Sequence, residues 1–166
     1  MSRPGRLETF LKIALIVSER STCKKYKVGC IIVDNDNDNI ISIGYNGTPS
    51  GCTHCIDIES EDHKLGALEL HAEINALAKV RNIDKHPLVI YNTHKPCLNC
   101  AKTIVAFKEH LNIVSIVYMF DFKDKYADEE DIEVESFLAS NGISIQVADN
   151  EFTEELIKTR RYRNIC

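Results

Sequence analysis

Apolar residues recur at three- and four-residue steps between positions 7 and 17 (Leu7, Phe10, Leu11, Ala14, Leu15), which predicts an amphipathic helix with a cap near Ser21. The period then shortens. Residues 28–33 and 40–43 are runs rich in Val and Ile joined by a polar stretch, so they predict a hairpin, and GYNGTPSG at 44–51 predicts a turn-rich loop. A second helix is expected to start near His71, turn Ile74, Leu77 and Ala78 inward, and end around Arg81 and Asn82. The run LVIYNT at 88–93 predicts a buried strand, and Pro96 is placed at the first position of a helix that continues through Ile104, Val105 and Phe107. A strand at 113–120, a helix at 129–140 stopped by Gly142, a strand at 143–147 and a closing helix at 151–162 complete the reading. Strands alternating with helices after an opening hairpin predict an α/β protein, a three-layer α/β/α sandwich around a mixed five-stranded sheet, as one domain over residues 1–166.

Two segments carry candidate chemistry: LHAEINAL at 70–77 and KPCLNCAK at 95–102, each at a predicted helix start. Cys97 and Cys100 are three apart, so one helix presents both sulfurs on one side, where they can hold a single ion. A helix start favours the thiolate that zinc requires. His71 supplies a third ligand, and three protein ligands leave the fourth tetrahedral position to water. Two thiolates nearly cancel the charge of Zn²⁺, which makes a separate base useful, and Glu73, two residues past His71, is placed to take the proton of that water and deliver it to a substrate. A closed structural site with His94 as an added ligand is the competing expectation, and it leaves Glu73 without a purpose.

Composition narrows the setting. The 166 residues are 44% apolar and 27% charged, near the globular average, and the seven cysteines cannot all pair within one chain. The apolar stretch near the N-terminus is interrupted by Lys12 and nothing reaches the length of a membrane span, so a soluble cytoplasmic protein is expected. A net charge of −5 and the absence of tryptophan argue against a large nucleic-acid footprint, with KTRRYR at 158–163 the one feature in its favour. In GYNGTPSG, glycines permit tight turns in which backbone N–H groups can face a phosphate, and Lys24, Lys25 and Lys27 are candidate donors to the same group.

HAEINA and PCLNCAK together form the H-x-E…P-C-x-x-C signature of zinc deaminases. With STCKKYKVG at 21–29, GYNGTPSG at 44–51 and DKYAD at 124–128, the chain resembles the deoxycytidylate (dCMP) deaminases of the cytidine deaminase superfamily, of the kind found in cells and bacteriophages. The resemblance implies a cytidine deaminase-like fold and hydrolysis of dCMP to dUMP and ammonia by a homohexamer. It also implies activation by dCTP and inhibition by dTTP, each bound with Mg²⁺. It assigns Asn46, Ala72, Lys27 and Tyr126 to the substrate, and Gly44, Asn46, Gly47, Thr48 and Gly51 to the effector nucleotide. Some members hold a structural zinc, for which Cys23, Cys55 and His63 are the matching positions here, whereas Cys30 and Cys166 are assigned no function. A tRNA or other nucleic-acid deaminase and a non-catalytic zinc-binding interaction module are the alternatives.

Overall fold

The computed structural model describes residues 3–24, 26–57, 68–81, 85–121, 127–148 and 153–154, with residues 127–132 described by their backbone alone. Its elements are α1 (Arg6–Ser18), β1 (Gly29–Asp34), β2 (Ile40–Tyr45), α2 (Ala72–Leu77), β3 (Leu88–His94), α3 (Leu98–Leu111), β4 (Ile113–Phe120), α4 (Ala127–Ser140) and β5 (Ser144–Val147). The strands form one sheet in the order β2-β1-β3-β4-β5. β1 runs antiparallel to both β2 and β3, while β3, β4 and β5 run parallel, so the sheet is mixed as expected.

Helices cover both faces of the sheet, which explains why β1 and β3 are buried along their whole length. The pleat divides β1 between two cores. Ile31 and Val33 join Leu11, Ala14 and Leu15 of α1, whereas Cys30 and Ile32 join Ala76 of α2, Ile104 of α3 and Leu138 of α4 on the opposite side. Two glycines allow the layers to close. A Cβ at Gly29 would lie 2.0 Å from the Ala14 carbonyl oxygen, and one at Gly44 would lie 2.1 Å from that of Ala72, so α1 and α2 both rest directly on strand backbone. Among the described residues, no helix is long and apolar enough to cross a membrane.

Three predicted boundaries are corrected. The chain leaves α1 at Glu19, not Ser21, through successive i→i+3 bonds from the N–H groups of Glu19, Arg20 and Ser21. α2 stops at Leu77 rather than Arg81 or Asn82, because Lys79 and Val80 tighten into the same kind of turn and the Arg81 guanidinium donates to the carbonyls of Ala78 and Val80. Pro96 precedes α3 instead of opening it: Cys97, with φ −71° and ψ 166°, is the extended N-cap, and its carbonyl accepts from Ala101 N–H. Gly142, at φ +69°, ends the turn after α4 as expected, its N–H bonding Ala139 O while Ile143 N–H bonds Leu138 O. The helix predicted at 151–162 lies outside the described residues except for positions 153 and 154.

Candidate metal centre and cleft

His71 and Cys97 are the N-cap residues of α2 and α3, both with extended backbone, and Cys100 lies one turn into α3. The two helices pack on the same face of the sheet, so their caps meet. His71 Nδ1 lies 3.4 Å from Cys97 Sγ and 3.3 Å from Cys100 Sγ, and the three potential ligand atoms all fall within 4.8 Å of one another. One imidazole nitrogen and two sulfurs are a zinc-type donor set, and three donors leave a fourth coordination position. Among the described residues, no other His, Cys, Asp or Glu joins this group. His94 is turned elsewhere: its Nδ1 meets Thr93 Oγ1 at 3.0 Å and its ring packs on Phe120. A second group, Asp34, Asp36 and His86, lies at the far end of β1, where the Asp34 carboxylate accepts from the N–H groups of Asp36 and Asn37.

The electrostatics suit a cation. A hydrogen bond from the Cys100 thiol brings the Cys97 thiol down to about 4, against burial, with help from His71. Cys100 is pushed upward by its bond to Cys97, by burial and by Glu73. The Cys97 bond raises His71, opposed by burial. Glu73, in the first turn of α2 and 4% exposed, has its carboxyl raised by burial, while Asn92 Nδ2 donates to its Oε1 at 3.0 Å.

His71, Glu73 and Cys97 open on a cleft also lined by Cys23, Tyr26, Val28, Asn46, Glu69, Ala72 and Lys95. Of the four residues expected at the substrate, Asn46 and Ala72 line it. Lys27 does not, although its neighbours Tyr26 and Val28 do, and Tyr126 lies outside the described residues. Asn46 is committed within the protein, accepting from Val28 N–H at 2.8 Å and donating to the Tyr26 carbonyl at 2.9 Å, so it fixes the backbone of the cleft wall.

The expected phosphate cradle in GYNGTPSG is corrected in part. The N–H of Asn46 bonds Val28 O and that of Gly47 bonds Leu70 O, leaving neither to face an anion. Gly44 is required by the approach of α2, Thr48 Oγ1 meets His54 Nδ1 at 2.9 Å, and Gly51 adopts φ +88° with open space around it. Cys23 is buried and Cys55 half-buried, whereas His63, the third member of the expected second zinc set, lies outside the described residues, as does Lys25.

Asn92, Glu69 and Lys95 were not singled out by sequence reasoning. Only Asn92 carried a signal, as a polar residue inside the apolar run LVIYNT.

Comparison with known proteins agrees with this geometry. The sequence profile described as "Cytidine and deoxycytidylate deaminase zinc-binding region" matches residues 4–118. A probable deoxycytidylate deaminase of Caenorhabditis elegans is 35% identical over 123 residues, 72% of this chain and 59% of that protein. A deoxycytidylate deaminase of Saccharomyces cerevisiae is 33% identical over 164 residues, 93% of this chain and 48% of that protein. The chain thus spans about half the length of these two relatives. The crystal structure of the dCMP deaminase from cyanophage S-TIM5 in apo form superposes with a TM-score of 0.65 at 29% identity, covering 89% of this chain and all of that one. A profile spanning most of the chain, together with a His-Cys-Cys cluster beside a buried glutamate, shows that the chain belongs to the cytidine and deoxycytidylate deaminase family.

Proposed function

We propose that the protein hydrolyses dCMP to dUMP and ammonia with a zinc ion held by His71, Cys97 and Cys100. The observation that carries this reading is the meeting of three metal-type donors beside the buried Glu73 carboxyl at the wall of one cleft. When bound, zinc lowers the pKa of a water molecule in the position the three ligands leave open. Glu73 takes a proton from the attacking water and delivers it to N3 of the ring, which makes C4 electrophilic; after the hydroxyl adds to C4, the same carboxylate takes the proton of that hydroxyl and passes it to the exocyclic nitrogen, so that the C–N bond breaks, ammonia leaves and the C4 carbonyl forms. Burial supports both halves of that cycle, since it raises the carboxyl above its ordinary range. Asn92 holds the carboxylate oriented, and Asn46 shapes the wall against which the nucleotide rests.

The names of the worm and yeast relatives and of the phage structure support dCMP as substrate. The resemblance supports the finer proposals: dCTP activation and dTTP inhibition with Mg²⁺, substrate contacts from Tyr126 and Lys27, a homohexamer, a single domain and a cytoplasmic location. The test is to incubate zinc-loaded protein with dCMP, cytidine, deoxycytidine and a tRNA, with and without dCTP, while following loss of cytosine absorbance. Turnover of dCMP, increased by dCTP and suppressed by dTTP, is the expected result. Turnover of tRNA alone would identify a nucleic-acid deaminase, and zinc binding without turnover of any of the four would identify an interaction module.

A further inference from the structure

The proposed reaction leaves one question of charge open: what holds the phosphate that separates a nucleotide from its nucleoside. Lys24 and Lys27, the candidates offered by the sequence, do not line the cleft, and the loop amides of Asn46 and Gly47 are spent on carbonyls. Among the described lining residues the single ammonium is that of Lys95, at the end of the segment between β3 and α3 that also carries Cys97. Its side chain is 5% exposed, its Nζ donates to Glu135 Oε1 at 2.6 Å, and it stands 5.7 Å from the centre of the Tyr118 ring.

The pair is lopsided. The ammonium is buried at the cleft wall, whereas the Glu135 side chain on α4 is 55% exposed. A buried cation left without an anion is costly, so Lys95 needs a partner at all times. A half-exposed carboxylate, by contrast, returns to water at little cost to itself, because much of its charge is already solvated.

We propose that Lys95 is the phosphate-binding residue of the cleft and that Glu135 is its resident partner, displaced by the phosphate when a nucleotide binds. This rests on the reading of the site as a nucleotide deaminase. Glu135 then screens the cleft, keeping the ammonium satisfied in the empty protein and imposing a small penalty that a dianionic phosphate overcomes and an uncharged sugar hydroxyl does not. Lys95 is two residues from Cys97, so anchoring the phosphate there also fixes the nucleotide relative to the metal turn.

The experiment measures kcat and KM for dCMP and for deoxycytidine with the zinc-loaded wild type, Lys95→Met, Lys95→Arg and Glu135→Gln, zinc content being determined for each. Loss of one charge-assisted bond predicts that the preference of Lys95→Met for dCMP over deoxycytidine, taken as the ratio of kcat/KM values, falls roughly 10- to 100-fold, mainly through KM for dCMP. Lys95→Arg keeps most of the preference. Glu135→Gln moves the opposite way, lowering KM for dCMP by roughly two- to fivefold because the phosphate no longer competes with a carboxylate. An ion pair that merely joins the loop to α4 gives another pattern: Lys95→Met and Glu135→Gln weaken both substrates alike, and that result overturns the proposal. Should Lys95→Met fail to fold, an unchanged or raised KM for dCMP in Glu135→Gln overturns it alone. If the wild type turns over neither substrate, the deaminase reading fails instead. Calorimetry with inorganic phosphate then decides, equal affinity in wild type and Lys95→Met refuting the role of Lys95.

Discussion

Glu73 is held between opposing influences: burial lifts its carboxyl, its own backbone N–H and His71 favour the ionised form, and the Asn92 amide donates to its Oε1. Removing the carboxyl and removing its partner therefore have different signatures. Glu73→Gln is expected to keep zinc by elemental analysis and to lose roughly 10²- to 10⁴-fold in kcat, the usual worth of a positioned acid and base; undiminished activity excludes Glu73 from the reaction. Asn92→Leu withdraws a donor from the carboxylate, which favours protonation, so the acid limb of the kcat/KM profile shifts to higher pH. An unmoved limb shows that Asn92 does not tune Glu73. The sulfurs give a third test at this scale. Cys97 is brought down to about 4 while Cys100 is raised, so in metal-free protein at pH 6 iodoacetamide should alkylate Cys97 well before Cys100, as read by peptide mass mapping. For an acid whose pKa falls on folding, the stabilisation is complete above the unfolded value near 9.0 and disappears as pH drops through about 4, so the metal-free protein loses this contribution on acidification.

At the scale of elements, the centre is a junction of helix starts, and the sheet determines whether they meet. Gly44 and Gly29 are matched in sterics and differ in what they support. A Cβ on Gly44 presses on Ala72 O and on Ala76 N, 2.4 Å away, pushing α2 and its His71 cap from the sheet, whereas one on Gly29 presses on α1. Both Gly→Ala changes should cost about 1–3 kcal/mol by overpacking, but only Gly44→Ala should also weaken zinc binding, measured by competition with a chelator. Equal zinc affinity in the two variants places the metal centre outside the control of the α2–β2 contact. This scale also marks what the sequence discloses. Helix and strand identities follow from local periodicity, and the metal donors follow from motifs a few residues long. The ends of α1 and α2 do not, because they depend on i→i+3 tightening and on Arg81 reaching back to two carbonyls. The loop amides look available to an anion until folding brings Leu70 opposite Gly47. Lys95 reads as a surface lysine until α4, forty residues on, covers it with Glu135.

For the whole molecule, the donors His71 and Cys97 are separated by a strand and its connections, so an unfolded chain has no preformed site. Zinc that binds the native state and not the unfolded one stabilises by RT ln(1 + [Zn]/Kd), about 4 kcal/mol when free zinc is 1,000 times Kd. For a protein of this size each kcal/mol moves Tm by roughly 2–4 °C, so removing zinc with a chelator should lower Tm by about 8–16 °C. Returning zinc should restore it, and Mg²⁺, which prefers oxygen donors, should not. The cluster makes a sharper demand. Cys100→Ser removes a donor that is buried in α3, so the zinc-dependent part of the shift should collapse while the melting of the metal-free form changes little. A zinc-dependent shift that persists in Cys100→Ser, measured by calorimetry at matched free zinc, means the ion that stabilises the fold is held elsewhere in the chain. The joint between α2 and α3 would then have to be closed by packing alone.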